Sequence, residues 1–196
     1  MAIYYVRNDG NDANTGLGST TALAWRTVQK ALGATGIGSG DTVYIAPGVY
    51  RENVTIAGTY TAATYIIGDP TAAQFAGISQ GLVRLTNYLT TDTASPSGTI
   101  MSSGSKNFLN ISYLYFDGSS VMLHLNNSNN CVVENCAFIG STLGATGYLV
   151  VILGQNAVSD TTSFTNTIFQ NHTIGMYLDS ITMSITNCTF AGLSTG

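Results

Sequence analysis

The chain has 196 residues, a length that favours one sizeable core over two independent domains. Hydrophobic residues make up 44%, which excludes a disordered chain, and the 6 Lys and Arg residues are scattered, which excludes a nucleic-acid-binding surface. Because only 8% of the residues are charged, Ser, Thr, Asn, Gly and Tyr must supply the polar surface, as suits stacked strands and tight turns.

Residues 1–40 are predicted to form an N-terminal strand followed by a capping helix. The helix is predicted over residues 25–32, where Thr27 can cap the first turn, apolar residues fall at i, i+3 and i+4, and Gly33 can end it. We expect this amphipathic helix to cover the apolar end of the strands that follow. The segment before it lacks the basic and apolar regions of a signal peptide, and no apolar run approaches the roughly 20 residues of a membrane span.

The loop after the first strand is rich in oxygen ligands. Asp9 and Asp12 alternate there with three asparagines, a set that could hold Ca²⁺. The alternative is that these are turn residues that follow the strand. We expect the turn role for these residues, and we expect no metal site and no cofactor.

Residues 41–196 contain short β-branched runs bounded by Gly, Asn, Asp or Pro, and four of them align as a repeat. The aligned segments are residues 111–116, 133–138, 164–169 and 185–190, and each ends in Phe. A period of 20 to 30 residues indicates a solenoid in which each coil packs only on its neighbours. The predicted fold is therefore all-β, a right-handed parallel β-helix, with residues 41–196 forming its coils.

The register of the repeat predicts an environment for each position. Four phenylalanines are expected to stack in the core: Phe116, Phe138, Phe169 and Phe190. Asn tolerates the left-handed conformation of a tight bend and can bond to the next copy through its amide. An internal ladder at a corner is therefore predicted for Asn135, Asn166 and Asn187. Tyr115 and Ile168 occupy an outward position and are predicted to contact an insertion or another subunit.

The three cysteines, Cys131, Cys136 and Cys188, are odd in number and include no closely spaced pair. This pattern disfavours a disulfide framework and a zinc site, because both require paired or clustered cysteines. We expect small, reduced core thiols.

Residues 4–16, 24–32 and 40–52 together resemble the N-terminal part of the pectate-lyase-like superfamily, in which a first strand and a capping helix precede the β-helix. The repeated Ile-x-Asn-Cys-x-Phe pattern of the later segments resembles the coils of that superfamily. The resemblance implies the same β-helix for nearly the whole chain. It does not imply one function, because polysaccharide lyases, glycoside hydrolases, adhesins and phage tail spikes share this scaffold.

The residues do not form a catalytic pattern of that superfamily. A lyase of this type requires a Lys or Arg base and acids that hold Ca²⁺, whereas a glycosidase requires two carboxylates about 5–9.5 Å apart. Glu134 aligns only with Ser and Thr in the other segments. His124 is predicted to face outward or to be satisfied in the core, and His172 is predicted to be solvated in a turn. We therefore expect no catalytic residues in this chain.

The favoured hypothesis is a non-catalytic structural β-helix of a virus or phage particle, such as a tail spike, a fibre or a capsid decoration, assembled in the host cytoplasm. The missing signal peptide, the reduced cysteines, the low charge and the surface of hydroxyls and Tyr favour it. The expected partners are copies of the chain, as a trimer by resemblance to tail spikes, other virion proteins and surface glycans, without nucleic acid or membrane.

Two alternatives stay open. One is a polysaccharide lyase or glycoside hydrolase whose catalytic residues lie in coils after Gly196. The other is an adhesin at the cell surface or outside the cell. The last segment lacks an amphipathic cover, so we expect either further coils or a partner chain at this end.

Overall fold

The computed structural model describes residues 1–88, 98–104, 106–118, 121–140, 148–153, 161–179 and 182–193. Within these residues the chain forms one helix and eighteen strands. They are β1 (Ile3–Val6), α1 (Val28–Leu32), β2 (Thr42–Ile45), β3 (Gly48–Arg51), β4 (Val54–Ile56), β5 (Thr64–Gly68), β6 (Val83–Thr86), β7 (Thr99–Gly104), β8 (Leu109–Ser112), β9 (Tyr115–Asp117), β10 (Val121–Asn126), β11 (Cys131–Glu134), β12 (Ala137–Ile139), β13 (Tyr148–Leu153), β14 (Thr161–Thr165), β15 (Ile168–Gln170), β16 (Ile174–Asp179), β17 (Thr182–Thr186) and β18 (Thr189–Ala191).

The strands form three parallel sheets, to which successive strands contribute in turn. The first sheet has the order β1-β2-β5-β8-β11-β14-β17, the second β3-β6-β9-β12-β15-β18 and the third β4-β7-β10-β13-β16. Coil 1 comprises β2 to β4, coil 2 β5 to β7, coil 3 β8 to β10, coil 4 β11 to β13, coil 5 β14 to β16, and coil 6 β17 and β18. This confirms the predicted right-handed parallel β-helix.

The core repeats from coil to coil in the register that the aligned segments indicate. Phe116, Phe138, Phe169 and Phe190 pair across neighbouring strands of the second sheet. Their rings stack with centroids 4.8, 5.4 and 4.8 Å apart and planes within 8–9° of parallel. The first three rings are fully buried, whereas Phe190 is 45% exposed. The stack therefore joins coils 3 to 6 through one continuous aromatic column.

Helix α1 covers the N-terminal end of this core. It begins at Val28, directly after the extended cap residue Thr27, whereas the predicted range opened at Trp25, which forms a β-bridge with Val6. The Thr27 hydroxyl accepts a hydrogen bond from the Lys30 amide at 3.0 Å, as the sequence predicts for the cap. The apolar side of the helix is fully buried. No helix in the described part of the chain has the length and apolar character needed to cross a bilayer.

Two side chains fix the helix to coil 1. The Glu52 carboxylate accepts hydrogen bonds from the amides of Val28 and Gln29 at 2.9 and 2.8 Å, and its burial raises the pKa of Glu52. The Gln29 side-chain amide bonds to both backbone groups of Thr55, at 2.7 and 3.2 Å. Gln29 thereby pairs with the edge of β4 as a neighbouring strand would, which protects the edge of the third sheet.

Candidate functional site: a groove at one corner of the β-helix

The corner between the first and second sheets is a two-residue bend in coils 3 to 6. Its first residue is left-handed in every case, with φ of 57°, 53°, 50° and 52° at Tyr113, Asn135, Asn166 and Asn187. The amide of Asn135 donates to the Thr165 carbonyl at 3.0 Å, so the backbone ladder continues through the bend. Asn is suited to this position because its short polar side chain tolerates the left-handed region.

The asparagine side chains lie outside this corner, which corrects the predicted internal ladder. Asn166 and Asn187 are exposed and Asn135 is half-buried. The Asn166 amide nitrogen donates to Asn135 Oδ1 at 3.4 Å, and this bond links the side chains of two neighbouring coils. Backbone carbonyls of the next coil accept from the amides of Asn135 and Asn166, so the bend does not need the asparagine side chains inside the corner.

The conformation of the bend gives a prediction for Asn166. Asn166→Ala should lower the free energy of unfolding by about 1–2 kcal/mol, because alanine lacks the short polar side chain with which asparagine tolerates the left-handed region and the hydrogen bond to Asn135 is lost. Asn166→Gly should cost less, since glycine adopts this conformation freely. Urea unfolding of both variants tests this order, and equal losses would contradict it.

The second residue of each bend fills the core. At this position the Cys136 thiol, the Thr167 hydroxyl and the Cys188 thiol each donate to the backbone carbonyl two residues earlier, at 3.3, 3.0 and 3.5 Å. Burial raises the pKa of Cys136 to about 12 and that of Cys131 to about 11. All three cysteines are free, and the two buried thiols stay protonated at neutral pH.

Coil 2 departs from the two-residue bend through a longer segment, residues 69–82, which we call the corner loop. Asp69, only 6% exposed, organises it. One carboxylate oxygen accepts from the Thr71 hydroxyl at 2.8 Å and the other from the Gln74 amide at 2.7 Å. Phe75 is buried with its ring edge-on to Tyr5, at 5.8 Å between centroids. The corner loop is therefore held by hydrogen bonds and by an aromatic contact.

The corner loop and the bends form two adjoining open depressions, which together we call the corner groove. One of about 310 Å³ is lined by Leu82, Tyr113, Tyr115, Asn135, Asn166 and Ile168 among others. The second, of about 300 Å³, is lined by Tyr44, Ile67, Asp69, Thr71 and Gln74 among others. Pro70 and Tyr113 line both depressions, so the groove continues from one to the other.

The corner groove brings together residues for which the sequence predicted different environments. Tyr115 and Ile168 occupy one outward file of the second sheet, as the register requires. Ile168 is 42% exposed and Tyr113 47% exposed. The sequence predicted a contact surface for Tyr115 and Ile168 but assigned Asn135 and Asn166 to the core. The structure places all four in the same groove.

An ion pair follows Tyr115 at the edge of this groove. Arg84 Nε donates to both oxygens of Asp117, at 3.0 and 2.9 Å, and Nη2 lies 2.8 Å from Oδ2. Burial and the Asp117 charge raise the pKa of Tyr115. The sequence repeat does not indicate this pair, because the corner loop shifts the spacing of coil 2. Aligning β6 with the repeat would have placed Arg84 beside Tyr115.

The loop with Asp9 and Asp12 uses its carboxylates for protein contacts. Asp9 accepts from Arg7 Nε and Nη2 at 2.6 and 2.9 Å, and this hydrogen bonding lowers the pKa of Asp9. Asp12 accepts from the Arg26 amide and from both the amide and the hydroxyl of Thr27, at 2.8–2.9 Å. In the described ranges, no three His, Cys, Asp or Glu side chains cluster as metal ligands. The contacts support the alternative of structural turn residues.

The two histidines lie outside the corner groove. His124 is half-buried on the outward side of the third sheet, in register with Ser102. His172 is only 5% exposed, so the prediction of a solvated side chain is wrong. Its Nδ1 accepts from the Ile174 amide at 3.4 Å. Burial lowers the pKa of both imidazoles.

The three parallel sheets define the class of this protein as a parallel β-helix, and two solved structures are similar to it. One is a GH136 lacto-N-biosidase from Eubacterium ramulus, with a TM-score of 0.47 and 14% identity over 90% of this chain and 36% of that chain. The other is a rhamnogalacturonan lyase, with a TM-score of 0.45 and 12% identity over 98% of this chain and 51% of that chain.

The chain thus spans about a third and about a half of the lengths of these two proteins. No family model matches the sequence, and no curated protein matches it. At such low identity the likeness concerns the fold alone.

Proposed function

We propose that this chain is a non-catalytic structural β-helix that binds glycans in the corner groove, as a component of a virus or phage particle. One observation carries the glycan part: exposed apolar side chains and asparagine amides line the same groove. The ring of Tyr113 offers an apolar face, and the amides of Asn135 and Asn166 offer both donors and acceptors. A sugar ring presents the matching surfaces, a C–H face and peripheral hydroxyls.

The carboxylates at the groove support binding without cleavage. Glycosidic hydrolysis needs one carboxylic acid to protonate the leaving oxygen and a second carboxylate to act on the sugar or on water. Asp69 accepts from Thr71 and Gln74 with its two oxygens, and Asp117 is held by Arg84. Both acids therefore have structural roles in this arrangement.

Replacing Tyr113 tests the glycan proposal with little risk to the fold. Tyr113→Asn removes the ring but introduces the residue that coils 4 to 6 carry at the same left-handed position. We expect wild-type protein to bind glycans on a printed array, and the variant to lose at least about tenfold in affinity, or about 1.4 kcal/mol. The array is followed by titration calorimetry with the strongest ligand.

A matched control is available in Tyr65, which is 38% exposed on the first sheet and does not line the groove. Tyr65→Thr should bind as the wild type does. Unchanged affinity in Tyr113→Asn, or equal losses in both variants, would refute binding at this groove. New reducing ends after incubation with the ligand would refute the non-catalytic part.

The virion part of the proposal is supported by composition and is tested separately. Only 8% of the residues are charged, and the thiols are free. A trimer is the expected assembly. Light scattering after size exclusion should give three times the 20.5 kDa chain mass. A stable monomer would contradict the trimer.

A further inference from the structure

We infer that the corner groove takes an extended, uncharged oligosaccharide laid along the axis of the β-helix, and not a single terminal sugar. This inference rests on the proposed glycan binding and adds to it the length, the direction and the charge class of the ligand. Three properties of the groove support the inference. They are the number of coils it crosses, the repetition of its polar groups, and a described lining whose one carboxylate is buried and hydrogen-bonded and which contains no Lys or Arg.

The groove crosses five successive coils. Its lining residues include Tyr44 in coil 1, Ile67 in coil 2, Tyr113 in coil 3, Asn135 in coil 4 and Asn166 in coil 5. Neighbouring parallel strands lie about 4.8 Å apart, so four steps between coils extend for roughly 19 Å. This length accommodates roughly four linked sugar rings, because one ring advances a glycan chain by a distance comparable with one coil step.

The polar groups of the groove repeat in the same direction. Asn135 and Asn166 present equivalent amides one coil apart and bond to each other at 3.4 Å. Asn187 continues this file in coil 6, where its side chain is exposed. A ligand with equivalent hydroxyls on successive units can use such a file, whereas a single ring reaches only one or two of its members. The repetition therefore favours a chain that runs along the axis.

The charges of the groove favour a neutral ligand. None of the described residues that line it is Lys or Arg, and its carboxylate, Asp69, is 6% exposed and hydrogen-bonded within the corner loop. Arg84, at the edge, is bound to Asp117. Recognition of uronate or sialate carboxylates relies on charge-assisted bonds from cations, which this lining does not supply. Neutral sugars require only the amides, hydroxyls and ring faces that are present.

A length series tests the inference. Titration calorimetry with gluco-, manno- and galacto-oligosaccharides of one to six rings should show affinity that rises up to about four rings and then levels off. Oligogalacturonides of the same lengths are the charged controls and should bind more weakly. Affinity that does not change from one ring to six, or tighter binding of the oligogalacturonides, would overturn this inference alone. No binding of any oligomer in the series would contradict the proposed function as well.

Variants at the two ends of the groove give a sharper test. Gln74→Ala alters the corner loop end, and Asn166→Gly removes the amide in coil 5 while keeping a residue that adopts its left-handed conformation. Each variant should weaken binding of the six-ring ligand by about three- to tenfold. The loss should be smaller for a two-ring ligand, because a short ligand contacts at most one end of the groove. Thermal unfolding verifies that both variants are folded. Unchanged six-ring affinity in both would overturn the inference.

Discussion

Replacement of Phe138 by Ala should lower the free energy of unfolding by about 3–5 kcal/mol, the usual cost of deleting a buried aromatic ring. Phe138 is fully buried between Phe116 and Phe169, with centroids 4.8 and 5.4 Å away. Its removal leaves a cavity in the aromatic column, and neighbouring coils cannot collapse into it without breaking the strand register. Urea unfolding followed by circular dichroism measures the loss.

Phe190 provides the control for this experiment. It stacks on one neighbour, Phe169, at the same 4.8 Å, but is 45% exposed. Phe190→Ala should therefore lower the free energy of unfolding by less than half as much as Phe138→Ala. The reason is that the Phe190 ring buries less apolar surface than the Phe138 ring. Equal costs at the two positions would show that the aromatic column does not pack as described.

The substitution Gly68→Ala should also destabilise the fold strongly, and it should disturb the corner groove. An alanine Cβ at Gly68 would lie 2.2 Å from the Tyr113 carbonyl oxygen and 3.0 Å from Leu114 Cδ2. Because the nearest atom is backbone, the bend of coil 3 must move, at a cost of about 1–3 kcal/mol. The same movement displaces the ring of Tyr113, so we expect weaker glycan binding together with the loss in stability.

Gly104 is the matched control, because it ends β7 as Gly68 ends β5. A Cβ at Gly104 would meet no atom within 4 Å. Gly104→Ala should change the free energy of unfolding by no more than about 0.5 kcal/mol and should leave glycan binding unchanged. If Gly68→Ala were tolerated as well as Gly104→Ala, the close approach of Tyr113 to β5 would be wrong.

The repeat was sufficient to predict the fold because its signals are periodic. A Phe that recurs with a fixed offset from an Asn places one residue in the core and the other at a bend. The capping helix was predictable for a related reason, since Thr27 and the apolar spacing after it are local signals. Only its start was misplaced, because the bridge between Trp25 and Val6 is a contact between residues distant in sequence.

The groove could not be predicted in the same way. Its walls depend on the corner loop, whose course is fixed by Asp69 and by the packing of Phe75 on Tyr5. The ion pair between Arg84 and Asp117 likewise joins residues of different coils. The sequence shows that an Asn suits a left-handed bend. The direction of its side chain depends on the backbone hydrogen bonds between neighbouring coils, which only the folded structure shows.

A crystal structure of the chain with its tightest-binding neutral oligosaccharide, of four rings or more, would test glycan binding at the corner most directly. We predict sugar rings in the corner groove, one packed on the Tyr113 ring and others within hydrogen-bonding distance of Asn135 and Asn166, with the chain parallel to the helix axis. Sugar bound instead on the outward side of the third sheet, around Ser102 and His124, would contradict this assignment.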